Sequence, residues 1–493
     1  MQEAGAKRWG IDYKYLVVAV FIGGQFMNQL DSTGLNVALP ELARQLNADT
    51  DHLEWVVTGY LLSVAVFVPV AGWLGDRFGT KRVLIFALGM FTASSLLCAL
   101  ATSINELIAF RILQGIGGGM IMPVGTAILF RAYPPAERAR AAVFFAIPTL
   151  IAPMLGPVFG GWLVDNASWR WIFYINLPVG AIVTVLALVV LQEHKEAKTG
   201  SFDIAGFLLS GSSLALILFA ISRAPRHGWT SPSVDVPLIA GVLLFAAMVV
   251  VELRKREPML KLRLFANRLF RSTTVAWFMA TAGLLGMLFL LPLYLQQLRG
   301  FSAVETGLTT LPQGLGMALT LQVTSRIYPY VGPRRMMAFG MLVVALSTLA
   351  FIEVGLDTSL YWIGALLFIR GIGMAFAMVA NQAASFATIE SSDLGRASSL
   401  SNSSIRIASA IGVAVLATVL TDRMAAHADT AAGGLAAFHE AFFVAFLLGI
   451  VGFFFALLIH DEDVAHLMKR RGEEKSVAPA PAPSGRSVAA REP

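Results

Sequence analysis

The chain repeats itself. Gly115 in QGIGGG, Arg140 in RARAAV and Gly156 in LGPVFGG return as Gly371 in RGIGMA, Arg396 in LGRASS and Gly412 in AIGVAVL, each pair 256 residues apart. Three motifs that keep one spacing point to two halves built on one plan. Apolar residues make up 56% of the 493 and charged residues 14%, with a mean hydropathy of +0.70. A soluble domain carries about one-quarter charged residues, so this composition is that of a polytopic membrane protein. Membrane chains built from two repeats commonly hold a transport site between the halves, near the bilayer midplane.

About 20 apolar residues cross the hydrocarbon as a helix. Spans are expected near 14–38, 52–72, 81–101, 106–129, 138–163 and 170–191, then 202–222 and 234–253, then 271–295, 303–327, 334–354, 359–385, 394–421 and 439–460. The expected fold class is an all-α integral membrane protein, two six-helix bundles with two extra transmembrane helices between them. The expected domains are an N-terminal segment 1–13, a first bundle 14–191, a linker 192–270 holding the extra pair, a second bundle 271–460 and a tail 461–493.

Lys and Arg set the orientation. With the N-terminus inside, cytoplasmic segments carry 28 of the 37, external loops carry six, and Arg111, Arg370 and Arg406 fall within spans. This asymmetry predicts cytoplasmic termini. It also assigns the net charge of +6 to topology and anionic lipid headgroups rather than nucleic acid. Residues 252–271 alternate basic and apolar side chains and read as an amphipathic surface segment or a plain basic tether. The stretch 472–493, rich in Ala and Pro, is expected to be disordered.

The sequence also argues against several functions. One cysteine, Cys98, leaves no disulfide framework and no cysteine-based metal centre; no metal or cofactor is expected. GDRFGTK is not a phosphate loop. Gly75 and Gly79 enclose three residues, Arg82 follows Lys81, and no strand precedes them. A membrane enzyme would need clustered His, Asp and Glu within the spans, which hold almost none. His227 and His439 fall in loops and read as solvated side chains. The first apolar run is a full span, unlike the short core of a cleaved signal.

GWLGDRFGTKRVL, Gly72 to Leu84, falls in the turn between the second and third spans. Its glycines let two helix ends approach, Asp76 is placed to pair with basic groups or cap a helix, and Arg77, Lys81 and Arg82 stay at the cytoplasmic interface. This segment resembles the inner-loop motif of the major facilitator superfamily. FRILQGIGGG (Phe110 to Gly119) is similar to the superfamily's fourth-helix motif, with Arg111, Gln114 and Gly115 in place. APMLGPVFGG (Ala152 to Gly161) is similar to its fifth-helix antiporter motif, with Ala152 where a glycine usually leads. LDSTGLNVALP (Leu30 to Pro40) and WRWIFYINLPVG (Trp169 to Gly180) resemble features of the fourteen-helix drug:proton antiporter branch. SRIYPYVGPRR, Ser325 to Arg335, departs from the inner-loop pattern: Gly332 and the basic pair remain, but Pro329 stands where an acid is usual. The resemblance implies alternating access, a gate built on Gly72, Asp76, Arg77, Gly79, Lys81 and Arg82, and a proton-coupling role for Arg111. At Gly156, Pro157, Gly160 and Gly161 it implies a pliable interface that limits leak; ordinary small-residue packing is the alternative.

Asp31 is the one acid placed well inside a span, about 25 Å along its helix. A carboxylate there is costly unless paired or protonated, which suits a proton carrier; a structural Asp bonding the backbone near Gly34 is the other reading. Arg111 falls at a similar depth and can pair with it, either as a proton-competed pair or a fixed one. Arg370 and Arg406 lie mid-span with no deep acid nearby. They must bond Gln382, Asn402 or carbonyls, or face a polar cavity. Gln114, Arg370, Asn381, Gln382, Asn402 and Arg406 are thus the candidate cavity residues. Met27, Met120, Met122, Phe278, Met279, Met287, Phe289, Met374, Phe376 and Met378 are candidates for a promiscuous apolar wall, or simply packing. The expected function is export of amphipathic drugs or antiseptics in exchange for protons, by a monomer in a bacterial inner membrane. The alternatives are an exporter of an endogenous lipid or anionic metabolite, and a receptor or scaffold.

Overall fold

A computed structural model of the chain describes residues 7–8 and 11–463, apart from 47, 49, 135–136, 138–140, 142–143, 145–151, 153–155, 157–158, 165, 197–201, 256–257, 302 and 427–430. Among the described residues the regular structure is helical except for a two-residue antiparallel ladder, Lys7–Arg8 on Ile11–Asp12. The first helices are α1 (Tyr13–Gln45), α2 (Thr50–Phe78), α3 (Thr80–Leu100), α4 (Ile104–Ala132) and α5 (Trp171–Val190). Next come α6 (Ile204–His227) and α7 (Pro232–Arg254). The chain continues with α8 (Arg268–Leu293), α9 (Ala303–Val331), α10 (Pro333–Leu349), α11 (Leu360–Ser385), α12 (Leu394–Ala426) and α13 (Ala431–Leu457).

Eleven described helices are long and apolar enough to cross a membrane. Helices α1 and α9, of 33 and 29 residues, are long enough but more polar: α1 carries Gln25, Asn28, Gln29 and Asp31. The expected span 138–163 falls largely outside the described residues; those described within it are helical. The expected tail disorder at 472–493 also lies outside them. The stretch 252–271 is not one continuous amphipathic helix. Helix α7 stops at Arg254, and a short 3-10 turn, Leu262–Ala266, follows. Met259, Leu260 and Leu264 in this stretch are buried.

Local chemistry sets several boundaries. Asp12, Ser103, Asp203 and Asn267 accept backbone N–H bonds at the starts of α1, α4, α6 and α8. Gly79 (φ 100°) and Gly332 (φ 84°) make the sharp reversals from α2 to α3 and from α9 to α10.

Packing explains the repeat. A Cβ on Gly115 of α4 would lie 2.7 Å from the Tyr60 carbonyl of α2, and one on Gly371 of α11 would lie 2.1 Å from the Gln313 carbonyl of α9. Gly156 meets Thr33 and Gly34 of α1, while Gly412 of α12 meets Ala282 of α8. Each repeated glycine is thus a helix crossing used once per half. Helix α6 pairs with α7 and packs against α2 of the first half and α12 of the second. Trp55–Phe219 and Phe67–Phe207 are among its aromatic contacts, at centroid distances of 5.6 and 5.8 Å.

The buried apolar side chains divide unevenly. At the end of the bundle bearing Gly72–Arg82 one core runs through both halves, from Val83 and Phe130 to Phe386 and Leu400. At the opposite end the cores are separate, one around Leu35, Leu107 and Trp169, the other around Leu290, Phe351 and Phe438. The halves share one buried core at the motif end and keep separate cores at the other.

Candidate functional site

Asp31 and Arg111 meet. Both are buried, and Arg111 Nη1 donates to Asp31 Oδ2 at 2.5 Å. On α4, Arg111 and Gln114 share one face at i, i+3, and Gln114 Nε2 donates to Asp31 Oδ1 at 3.0 Å. Asn176, at the bend of α5, donates to the same oxygen at 2.8 Å. Arg111 Nη1 also reaches Gln114 Oε1 at 2.6 Å, and its Nε reaches the Val56 carbonyl at 3.4 Å. Ser95 Oγ accepts from Gln114 at 2.7 Å and Asn176 at 3.3 Å. The guanidinium lies 4.1 Å from the Tyr60 ring centroid, the Tyr60 hydroxyl donates to Asn28 Oδ1 at 2.8 Å, and Asn28 donates to the Gly118 carbonyl at 2.9 Å. A Cβ on Gly118 would crowd that hydroxyl at 2.9 Å, so the glycine admits the contact.

A carboxylate and a guanidinium removed from water are tolerated here because they are paired and because Gln114, Asn176 and the Val56 carbonyl add hydrogen bonds to them. Gln114 belongs to this closed network and is not a free cavity residue. Asn176, Ser95, Tyr60 and Asn28 were missed as site residues. Asn176 had a signal, since it lies inside WRWIFYINLPVG; the others are ordinary polar residues until the fold assembles them.

Asp31 is not the only buried acid. Asp76, Asp203 and Glu252 are buried as well, each near a helix end. Asp76 lies 3.6 Å from Arg131 Nη2 and 3.7 Å from Arg396 Nε, so it faces a cation from each half. Gly72 N donates to Ser399 Oγ at 2.8 Å, and a Cβ there would lie 2.6 Å from the Gly395 carbonyl. Ser398 Oγ donates to the Pro123 carbonyl at 2.9 Å. These contacts seal the motif end. Of the basic residues expected there, Arg77 is exposed, Lys81 Nζ donates to the Leu188 carbonyl at 2.7 Å, and Arg82 Nε lies 3.5 Å from Glu193. Glu193 also accepts from Lys81 N at 3.1 Å, beside Gly79. In the second half Asp461 takes the matching position, accepting from Arg334 N at 2.9 Å beside Gly332.

The glycine motif of the 138–163 span touches the acid-bearing helix. A Cβ on Gly156 would fall 2.0 Å from Thr33 Oγ1, and one on Gly160 would fall 2.7 Å from the Gly34 carbonyl. Gly161 is half-buried; Pro157 lies outside the described residues.

Neither Arg370 nor Arg406 bonds Gln382 or Asn402. Arg370 is buried and donates to Thr348 Oγ1 (3.3 Å), Gln313 Oε1 (3.2 Å) and the Gly283 carbonyl (3.1 Å), tying α8, α9, α10 and α11 together. Asn402 donates to the Ser398 carbonyl at 2.8 Å, and Asn381 accepts from Ser385 at 2.9 Å; both are buried, as is Gln382. Arg406 is half-buried, with no hydrogen bond or ion pair among the described residues. Met120, Met287, Met374 and Met378 are core packing rather than open wall, and Met27, though buried, lines a cavity with Leu30 and Asn176; Met122, Phe278, Met279, Phe289 and Phe376 are half-buried.

The sequence profile of the Major Facilitator Superfamily matches residues 21–413 and 310–493. The chain is 36% identical over 399 residues to a multidrug resistance protein B homolog of Mycobacterium tuberculosis, covering 80% of this chain and 74% of that one. It is 33% identical over 421 residues to a putative multidrug resistance protein of Pectobacterium carotovorum, covering 85% and 88%. In fold it resembles the human organic anion transporter MFSD10, with a TM-score of 0.65 at 20% identity over 90% of this chain and 99% of that one. The proton:xylose symporter XylE superposes with a TM-score of 0.57 at 15% identity over 90% and 95%.

Proposed function

Because the chain belongs to the major facilitator superfamily, a superfamily of membrane transporters, we propose that it is a proton-coupled exporter of amphipathic compounds in the fourteen-helix drug:proton branch. The buried Asp31–Arg111 pair carries this reading. A transporter driven by protons needs a group that alternates between charged and neutral inside the membrane. Asp31 is such a group, and Arg111 is a partner that protonation would release. The names of the two bacterial relatives support drugs as cargo.

The Lys and Arg distribution supports placing the Gly72–Arg82 end in the cytoplasm, with both termini there, in a bacterial inner membrane. The packing then corresponds to an outward-facing stage, closed inside by Asp76, Arg131, Arg396 and the Gly72–Ser399 contact. Exchange requires this seal to open as the other end closes, while the Gly156–Gly34 crossing lets the helix bearing Asp31 shift without opening a leak.

The test is cargo uptake into inverted vesicles, where export appears as accumulation in the lumen. Export should stop when a protonophore collapses the gradient and survive ATP depletion while the gradient is held. Export that tracks ATP after collapse refutes the proposal.

A further inference from the structure

The two mid-span arginines of the second half are not equivalent. Arg370 spends its donors on three neutral acceptors and braces four helices. Arg406 engages no described residue by hydrogen bond or ion pair and remains half-exposed. It lies about 18 Å from the start of α12, close to the middle of a core about 30 Å thick. Along α12 it falls between Leu400, which belongs to the core shared by both halves, and Leu416, which belongs to the second half's separate core. That is the level at which the buried core shared by the halves gives way to a separate core in each. It lies within electrostatic range of Tyr60 of α2, the ring that also holds the Arg111 guanidinium.

A guanidinium stays charged in any protein environment, and a charge at this depth is costly without a partner. The deep acid Asp31 is already committed to Arg111, Gln114 and Asn176. Among the described residues no counter-charge faces Arg406, which leaves its guanidinium free to take one from a bound compound. Guanidinium groups favour carboxylate and phosphate, which accept two parallel hydrogen bonds. Ile405, half-buried against the shared core, supplies apolar surface beside the charge.

We infer that Arg406 is the anchor of the cargo site, and that it takes the anionic head, carboxylate or phosphate, of an amphipathic compound whose apolar body lies between the halves. This rests on the transport reading above and names the class of compound. Tyr60, common to Arg406 and Arg111, puts the cargo next to the Asp31 network.

The test uses the full chain in nanodiscs of zwitterionic lipid, which hold no proton gradient. Binding there is therefore independent of whether transport is proton-driven, and the two readings can fail separately. The probes are dansyl-labelled undecanoate, its methyl ester and a trimethylammonium analogue of equal length. Wild type should bind the carboxylate tighter than the ester. Arg406→Gln should lose about tenfold to a hundredfold in carboxylate affinity, the worth of charge-assisted hydrogen bonds. It should keep ester affinity, which shows an intact site, and Arg406→Lys should keep part of the carboxylate preference. Adding phosphatidylglycerol to the nanodiscs separates the sources: competition with the probe identifies a lipid headgroup, and no competition identifies a free amphipath. Equal carboxylate affinity in wild type and Arg406→Gln overturns the inference, as does a wild-type preference for the cation.

Discussion

Removing one member of the Asp31–Arg111 pair strands the other. Arg111→Gln leaves a buried carboxylate with amide donors alone; Asp31→Asn leaves a buried guanidinium facing amides, a carbonyl and the Tyr60 ring. Breaking a buried pair from one side costs about 3–5 kcal/mol. The double variant strands no charge and should cost no more than about one single, a coupling near 3 kcal/mol. The sign with pH differs between the singles. A carboxyl can become neutral by taking a proton, whereas a guanidinium cannot lose one, so the Arg111→Gln penalty should shrink as pH falls and the Asp31→Asn penalty should not. The chain carries its own reporter, since the sole cysteine, Cys98, is buried 3.8 Å from Gln114. Thiol labelling of Cys98 during unfolding in detergent reads all four proteins. Additive single penalties, or penalties under about 1 kcal/mol, would refute the claim that the pair is buried and mutually compensating.

Two further outcomes follow from glycine packing. Gly371→Ala, whose Cβ would sit 2.1 Å from the Gln313 carbonyl, should destabilise measurably, whereas Gly89→Ala, with no atom within 4 Å, should be neutral or stabilising by up to about 1 kcal/mol in the same assay. Gly156→Ala should already impair vesicle transport, because its Cβ meets Thr33 Oγ1 at 2.0 Å, and Gly156→Leu should abolish it; normal export by the Leu variant would remove the close-packed interface.

The sequence was most legible where one strong physical constraint acts alone. Long apolar runs located the helices because a span must be apolar for its whole length, and the 256-residue repeat located Gly115 and Gly371 at equivalent crossings. Asp31 and Arg111 were readable because charge inside a span is rare. Partners were not. Asn176, Tyr60 and Gln114 reach the pair from three helices, and Ser95 of a fourth holds the two amides, a convergence that exists only after packing. Asp76, Asp203 and Glu252 lie near helix ends, where water is expected, and are buried because neighbouring chain covers them. At Gly156 the glycine spacing was legible, but not that Thr33 would crowd the first added carbon.

The central claim is that Asp31 carries the proton, and the most direct measurement is a pH jump across inverted vesicles containing wild type, Asp31→Asn and Asp31→Glu. Each variant is first checked for insertion by its Cys98 labelling. Imposing an inside-acid gradient should drive cargo uptake in wild type, drive part of it in Asp31→Glu, and drive none in a correctly inserted Asp31→Asn protein, whose amide cannot alternate between charged and neutral forms. Gradient-driven uptake by Asp31→Asn with the wild-type dependence on pH would contradict the account and move the proton site elsewhere.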